Sequence, residues 1–380
     1  MAGSGLVLVL NAGSSSLKYA VVDAASGASR LREKVERIDE SGWDGAFAEV
    51  SDRLAQAGID AGDLAGVGHR VVHGGPRFTT ATVVDDAVLA EIRELARLAP
   101  LHNPPAAAGI EAARAAWPGL AQVAVFDTAF FADLPTAAAT YAVDRAVAGR
   151  EHLRRYGAHG TSHAWVAGQA ARFLGRDLAE VDQVVLHLGN GASAAAIRGG
   201  RPVETSMGLT PLEGLVMGTR AGDLDPGLVL HLLRHGDYDG GPLDADALED
   251  LLHHRSGLEG LAGRHDFRDL LGAVDAGDAD ARTAYDVTCH RIRKYVGAYL
   301  AVLDGADAIT FTGGVGEHVP RLRADSLAGL DRLGVEVDAT RNEQRTDGPR
   351  LISSEASRVA VLVVPTDEER AIAAQVAALV

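Results

Sequence analysis

LVLVLNAGSSSLKYAVVDAASG, residues 6–27, reads as an apolar strand, a turn of small polar residues, a second strand and a Gly-containing turn. QVVLHLGNGASAAAIRGGRP, residues 183–202, has the same order. Two strand-turn-strand units of one design suggest a duplicated domain with a cleft between the copies, although small-residue hairpins also recur by chance.

Outward from these two stretches, short β-rich apolar runs alternate with longer helix-patterned segments, the pattern of an α/β protein. Strands are expected at residues 6–10, 17–22, 66–72, 122–126, 183–188, 192–198, 308–312 and 359–364. Helices are expected at residues 44–57, 85–99, 105–116, 163–174, 226–233, 280–303 and 368–379. A chain of 380 residues exceeds what one core usually organises, so two domains are expected.

Composition excludes several function classes. With 52 acidic against 36 basic residues and a formal charge of −16, a broad surface for nucleic acid or anionic lipid is disfavoured. The lysines are Lys18, Lys34 and Lys294 alone, and no GxxxxGK[ST] segment exists, which excludes a P-loop NTPase. Cys289 is the single cysteine, reads as a buried helical residue, and no CxxC or His-rich spacing suggests zinc. The N-terminus enters its first strand without a basic leader, and no apolar run reaches membrane-spanning length, so no membrane association and a cytoplasmic location are expected.

The turns carry the chemistry. In NAGSSSLKY (11–19) small residues leave backbone amides and hydroxyls accessible to phosphate; Asn11 can face a hydrated Mg²⁺, and Lys18 adds a point charge. HLGNG (187–191) and TGGVGEH (312–318) are further Gly-rich turns at strand ends. One such turn is weak evidence; together they point to a polyphosphate. Arg70 in GHRVVHGG (68–75) and Arg220 in MGTRAGDLDPG (217–227) sit beside glycines, where a guanidinium can clamp a carboxylate or phosphate, although isolated arginines are commonly solvated. Asp127 follows the strand AQVAVF and suits a metal or an attacking group, or else caps the next segment. His159, flanked by Gly157 and Gly160, can donate to a phosphoryl oxygen in flight. In PTDEERA (365–371) Thr366 is expected to cap a helix and Glu369 to complete a capping box, leaving Glu368 for metal.

NAGSSSLKY and MGTRAGDLDPG resemble the two signature segments of acetate kinases. The similarity continues in order through GHRVVHGG, LAPLHNPP, VFDTAF, HGTSH, HLGNG, DFRDL and PTDEE, over essentially the whole chain. Propionate kinases share most of it. The resemblance implies two duplicated ribonuclease H-like α/β domains of the superfamily of acetate and sugar kinases, heat-shock chaperones and actin, divided as residues 1–130 and 131–366 with a helix at 367–380 returning to the first. It implies homodimers joined mainly through the second domain, and phosphoryl transfer between ATP or ADP and a small carboxylate with Mg²⁺, or Mn²⁺ in its place.

Position by position, it makes Asn11 and Glu368 metal partners, and Arg70 and Arg220 the clamp on carboxylate and phosphoryl. Asp127 is then the catalytic aspartate and His159 the transition-state donor. Lys18, His187, Gly189, Asn190 and Gly191 fall to the nucleotide phosphates. Asp266, Phe267, Arg268, Gly314, Val315, Gly316 and Glu317 fall to the adenosine pocket, and Val72, Leu101 and Pro211 to the substrate methyl group. The family's usual FHGTSH reads AHGTSH here, with Ala158 in place of an aromatic ring; TNEE reads TDEE; and GIGEN reads GVGEH. The apolar substrate positions argue against a sugar kinase. A chaperone- or actin-like binding protein would need insertions that the kinase-like segments leave no room for.

Overall fold

The computed structural model describes residues 5–13, 16–36, 38, 42–238 and 240–380. Contacts divide the chain into two compact units, one of Met1–Ala132, Ala158–Trp165 and Asp367–Val380, the other of Asp133–Gly157 and Val166–Thr366.

The first unit is built on strands β1 (Leu6–Ala12), β2 (Ser16–Asp23), β3 (Ser29–Glu36), β4 (Leu64–Val71), β5 (Thr82–Val83) and β6 (Gln122–Phe126), in the order β3-β2-β1-β4-β6-β5. β1, β2 and β3 form an antiparallel meander, β1, β4 and β6 run parallel, and the two-residue β5 closes the edge antiparallel to β6. Because side chains alternate across a sheet, the unbroken apolar run of β1 serves two cores. Leu6, Leu8 and Leu10 pack with Phe47, Val50 and Leu54 of the helix Trp43–Gln56. Val7 and Val9 pack on the other face with Ile372, Ala373 and Val376 of the helix Glu368–Ala377. That helix lies so close that a Cβ on Gly68 of β4 would fall 2.7 Å from Ile372 and Val376.

The second unit contains β7 (Gln183–Leu188), β8 (Ala192–Arg198), β9 (Arg201–Thr205), a short ribbon of β10 (Asp237–Tyr238) and β11 (Gly241–Pro242), then β12 (Ala308–Thr312), β13 (Arg350–Leu351) and β14 (Ala360–Val363). Its main sheet has the order β9-β8-β7-β12-β14-β13. Meander, parallel strands and antiparallel two-residue edge recur in the same sequence as in the first sheet. The repeat legible in residues 6–27 and 183–202 is therefore a repeat of a whole α/β unit. The helix Ala279–Leu303 buries Ala284, Tyr285, Cys289, Ile292 and Val296 along one side. Among the described residues, no helix is long and apolar enough to cross a membrane.

Two local expectations differ. TGGVGEH is not a turn: Gly313–His318 forms a short helix directly after β12, since Gly313 at φ +78° turns the chain sharply out of the strand. The helix Glu368–Ala377 is capped by Asp367, whose carboxylate accepts from the Arg370 amide, and not by Thr366. Asp at this position satisfies an otherwise orphaned amide better placed than the residue before it.

Candidate functional site

In the first unit one guanidinium gathers several of the expected residues. Arg70, near the end of β4, donates from Nη2 to Asp127 Oδ2 at 2.5 Å and from Nη1 to Asn11 Oδ1 at 3.5 Å, while its Nε lies 3.4 Å from Glu368 Oε2. These partners come from β6's end, β1 and the C-terminal helix. Strand order β1-β4-β6 puts Arg70 between the other two strand ends, and the register pairs Asn11 with Lys18 across the hairpin. Burial works against the Arg70 charge, but Asp127 and Glu368 outweigh it and hold the guanidinium above its ordinary pKa. Burial pushes the Glu368 carboxyl up, and Asp127 and Glu369 add to this against the pull of Arg70 and Lys18. Ser14 and Ser15 of the first turn lie outside the described residues.

Asp127 opens the 3-10 turn Asp127–Phe131 but caps nothing with its side chain. Its second oxygen, Oδ1, accepts from Thr161 Oγ1 at 3.0 Å, so both oxygens are engaged. Thr161 is a residue that sequence reasoning missed. It stands two places after His159, which adopts φ +56°, a left-handed conformation uncommon outside glycine and frequent at functional sites. The chain then passes Asp127 so closely that a Cβ on Gly160 would meet the Asp127 carbonyl oxygen at 2.0 Å. Ala158 and Val72 are buried, whereas Leu101 is 38% exposed.

In the second unit three Gly-rich stretches meet. A Cβ on Gly313 would lie 2.7 Å from the Leu188 carbonyl, and one on Gly218 would lie 2.1 Å from Asn190 Oδ1 and 3.2 Å from the His265 carbonyl. Residues 187–191, 217–220, 265–268 and 313–317 are thus neighbours. The Gly218 amide donates to the Asn190 carbonyl at 3.0 Å, and the Gly189 amide to that of Gly191 at 2.9 Å. Asp266 caps the helix Phe267–Asp275 and pairs with Arg268 at 2.8 Å, while Phe267 is buried against Tyr285. A small apolar cavity beside them is lined by Leu188, Gly189, Phe267 and Val315.

The loop carrying Arg220 is held from below by Gly257, φ +61°, whose Cβ would meet the Met217 and Arg220 carbonyls at 2.2 and 2.6 Å. Arg220 Nη1 donates to the buried Pro211's carbonyl at 3.3 Å, and burial lowers the guanidinium's pKa. His187 is the penultimate residue of β7, half-buried. Glu317 turns its carboxylate to backbone amides of its own unit.

The sequence pattern of the acetokinase family matches residues 32–374. An acetate kinase of Streptomyces avermitilis is 50% identical, over 98% of this chain and 97% of that protein. The chain belongs to the acetokinase family. Among solved structures, the acetate kinase of Porphyromonas gingivalis superposes with a TM-score of 0.91 at 36% identity, covering 98% of this chain and 99% of that one. A propionate kinase from Francisella tularensis gives 0.90 at 34%, covering 97% and 98%.

The close passage at Asp127 is testable with two glycines of the helix Gly160–Phe173. Gly160→Ala is expected to lower the thermal midpoint, because its new methyl group overlaps backbone. Gly168→Ala, where a Cβ meets nothing, is expected to be neutral or to stabilise by up to about 1 kcal/mol. Calorimetry of both variants checks this; equal midpoints would remove the steric argument.

Proposed function

We propose that this acetokinase-family chain transfers a phosphoryl group reversibly between ATP and acetate, giving acetyl phosphate and ADP. The observation that carries this reading is the 50% identity to an acetate kinase over 98% of the chain. The arrangement around Arg70 supports it physically. A carboxylate acceptor is already ionised near neutral pH, so it needs alignment and charge neutralisation, not a general base. Asp127 has both oxygens committed to Arg70 and Thr161, as suits a positioning group. Arg70, Arg220 and His159 supply donors for the oxygens of a phosphoryl group moving in line.

Mg²⁺ is part of the proposal. The donor oxygens of Asn11 and Glu368 are hard ligands, and Glu368 is an acid whose charge is disfavoured by burial and by neighbouring acids, so a cation fits there. Mg²⁺ keeps water and phosphate ligands, so these two side chains would supply only part of its shell, with the nucleotide phosphates supplying more. Bound, it would neutralise phosphate charge; the chain's own residues orient the reactants. In the second unit, residues 187–191 and 313–316 with Asp266 and Arg268 are assigned to the nucleotide; Val72 and Leu101 of the first unit and Pro211 of the second are assigned to the acyl end.

A second substrate reading rests on Ala158. A methyl group stands where the family usually has an aromatic ring, and the propionate kinase fits this fold as well as the acetate kinase does. Each extra buried methylene is worth up to about 0.8 kcal/mol, roughly fourfold in specificity. Hydroxylamine trapping with ATP, Mg²⁺ and a panel of carboxylates is expected to detect acetyl phosphate first and propionyl phosphate as a competent second product. Arg70→Ala and Arg220→Ala, checked for folding, are each expected to lose about a hundredfold or more in turnover. Ala158→Phe is expected to depress kcat/KM for propionate relative to acetate. Absence of any acyl phosphate, or full turnover in both arginine variants, would contradict the assignment.

The protein is also proposed to be a homodimer. The helix Pro226–His235 has no buried residue, and Leu230 and Leu233, three apart on one face, stand 49% and 40% exposed, an apolar surface suited to a second copy. Sedimentation is expected to give twice the chain mass, and Leu230→Glu with Leu233→Arg to give the monomer. A wild-type monomer would refute this.

A further inference from the structure

Glu317 carries an acidic side chain into a segment assigned above to polyphosphate and adenosine, where a free carboxylate would repel the ligand. Its Oε1 instead accepts from the Gly313 amide at 3.0 Å and from the Thr366 amide at 3.2 Å, with Thr312 Oγ1 at 3.5 Å. These donors belong to the end of β12, the first residue of the helix Gly313–His318, and the stretch just after β14. The side chain folds back over its own helix start and joins it to Thr366, two residues before Glu368. The Glu317 backbone is equally fixed. Its carbonyl accepts from Arg323 Nη1 at 2.9 Å and Arg350 Nη2 at 3.0 Å, and Arg323 also reaches the Gly316 carbonyl at 2.9 Å. Arg323 is fully buried and is held in turn by Asn342. Cationic donors at the carbonyl end and a carboxylate at the amide end match the polarity of the helix backbone at both termini.

We propose that Glu317 is a positioning residue for the nucleotide: it brackets Gly313 to Thr366 and thereby fixes the Gly314–Gly316 backbone, without itself touching the ligand. The proposal rests on the assignment of residues 313–316 to the nucleotide. It separates Glu317 from its neighbours in that assignment, because a bracket needs only an acceptor oxygen at the right reach, whereas a ligand contact needs the charge or the identity of the group.

Hydrogen exchange and steady-state kinetics on the full chain test it together. In Glu317→Gln the amide oxygen still accepts, so exchange at Gly313 and Thr366 is expected to stay slow and KM for ATP to remain within about threefold of wild type. In Glu317→Ala both amides are expected to exchange faster and KM for ATP to rise about tenfold or more, with KM for acetate and the ATP-to-GTP preference unchanged. Glu317→Asp, one methylene short, is expected to behave as Ala does and serves if the Ala variant does not fold. Equal damage from Gln and Ala, or a changed nucleotide preference, would make Glu317 a ligand contact and overturn the proposal. Unchanged exchange in Glu317→Ala would remove the bracket. ATP added to wild type is expected to slow exchange across 313–317; if it does not, the nucleotide assignment fails and the proposal falls with it, even where the bracket is seen.

Discussion

The ion pair between Arg70 and Asp127 is the contact on which the first unit's site depends. A buried carboxylate needs a counter-charge, and Asp127 is 1% exposed at its side chain with Arg70 at 2.5 Å. Removing one partner of such a pair costs about 3–5 kcal/mol, since the other is left uncompensated. The sheet meets that need by topology, with β4 lying between β1 and β6 so that Arg70 reaches residues following or ending both neighbours. Thr161 then fixes the other oxygen of Asp127, and the C-terminal helix returns Glu368 to the same guanidinium. Three acids, Asp127, Glu368 and Glu369, act on the buried Arg70 guanidinium and hold its charge.

The second unit meets a different constraint, the close approach of its own backbone segments. Gly218 and Gly313 allow strand-end segments to approach within distances that any side chain would prevent. The departures from the family pattern fit within this frame. Asp367, where the family has Asn, caps its helix and pairs with Arg32 at 3.3 Å, so its extra charge is absorbed locally. Val315 lines the apolar cavity beside Phe267, a smaller side chain for the usual Ile. Ala158, buried next to His159, is the departure on which the proposed second substrate reading turns.

The central strands were legible because β1, β6, β7 and β12 are mainly apolar and almost entirely buried. β3 and β9 escaped because SRLREKVE and RPVET are polar edge strands, and β5 and β13 because two residues carry no period. The helices Ala245–His254 and Phe267–Asp275 escaped because they are short, at ten and nine residues, and lie in charged stretches. Among site residues, those in recurrent Gly-flanked motifs could be named from sequence. Thr161, Gly257 and the direction of the Glu317 carboxylate could not, because each acts through a partner distant in the chain: Asp127, Met217 and Thr366. Capping at 366–369 misled for the opposite reason, since Thr366 and Asp367 are both good caps and only the backbone decides between them.

The proposed transfer is direct and in line between nucleotide and carboxylate, with the chain supplying charge and alignment and no covalent intermediate. The stereochemical course at phosphorus tests it most directly. With ATP made isotopically chiral at the γ-phosphorus and acetate as acceptor, the account predicts acetyl phosphate of inverted configuration, as a single displacement requires. Net retention, which demands two displacements through a phosphorylated residue such as His159, would contradict it.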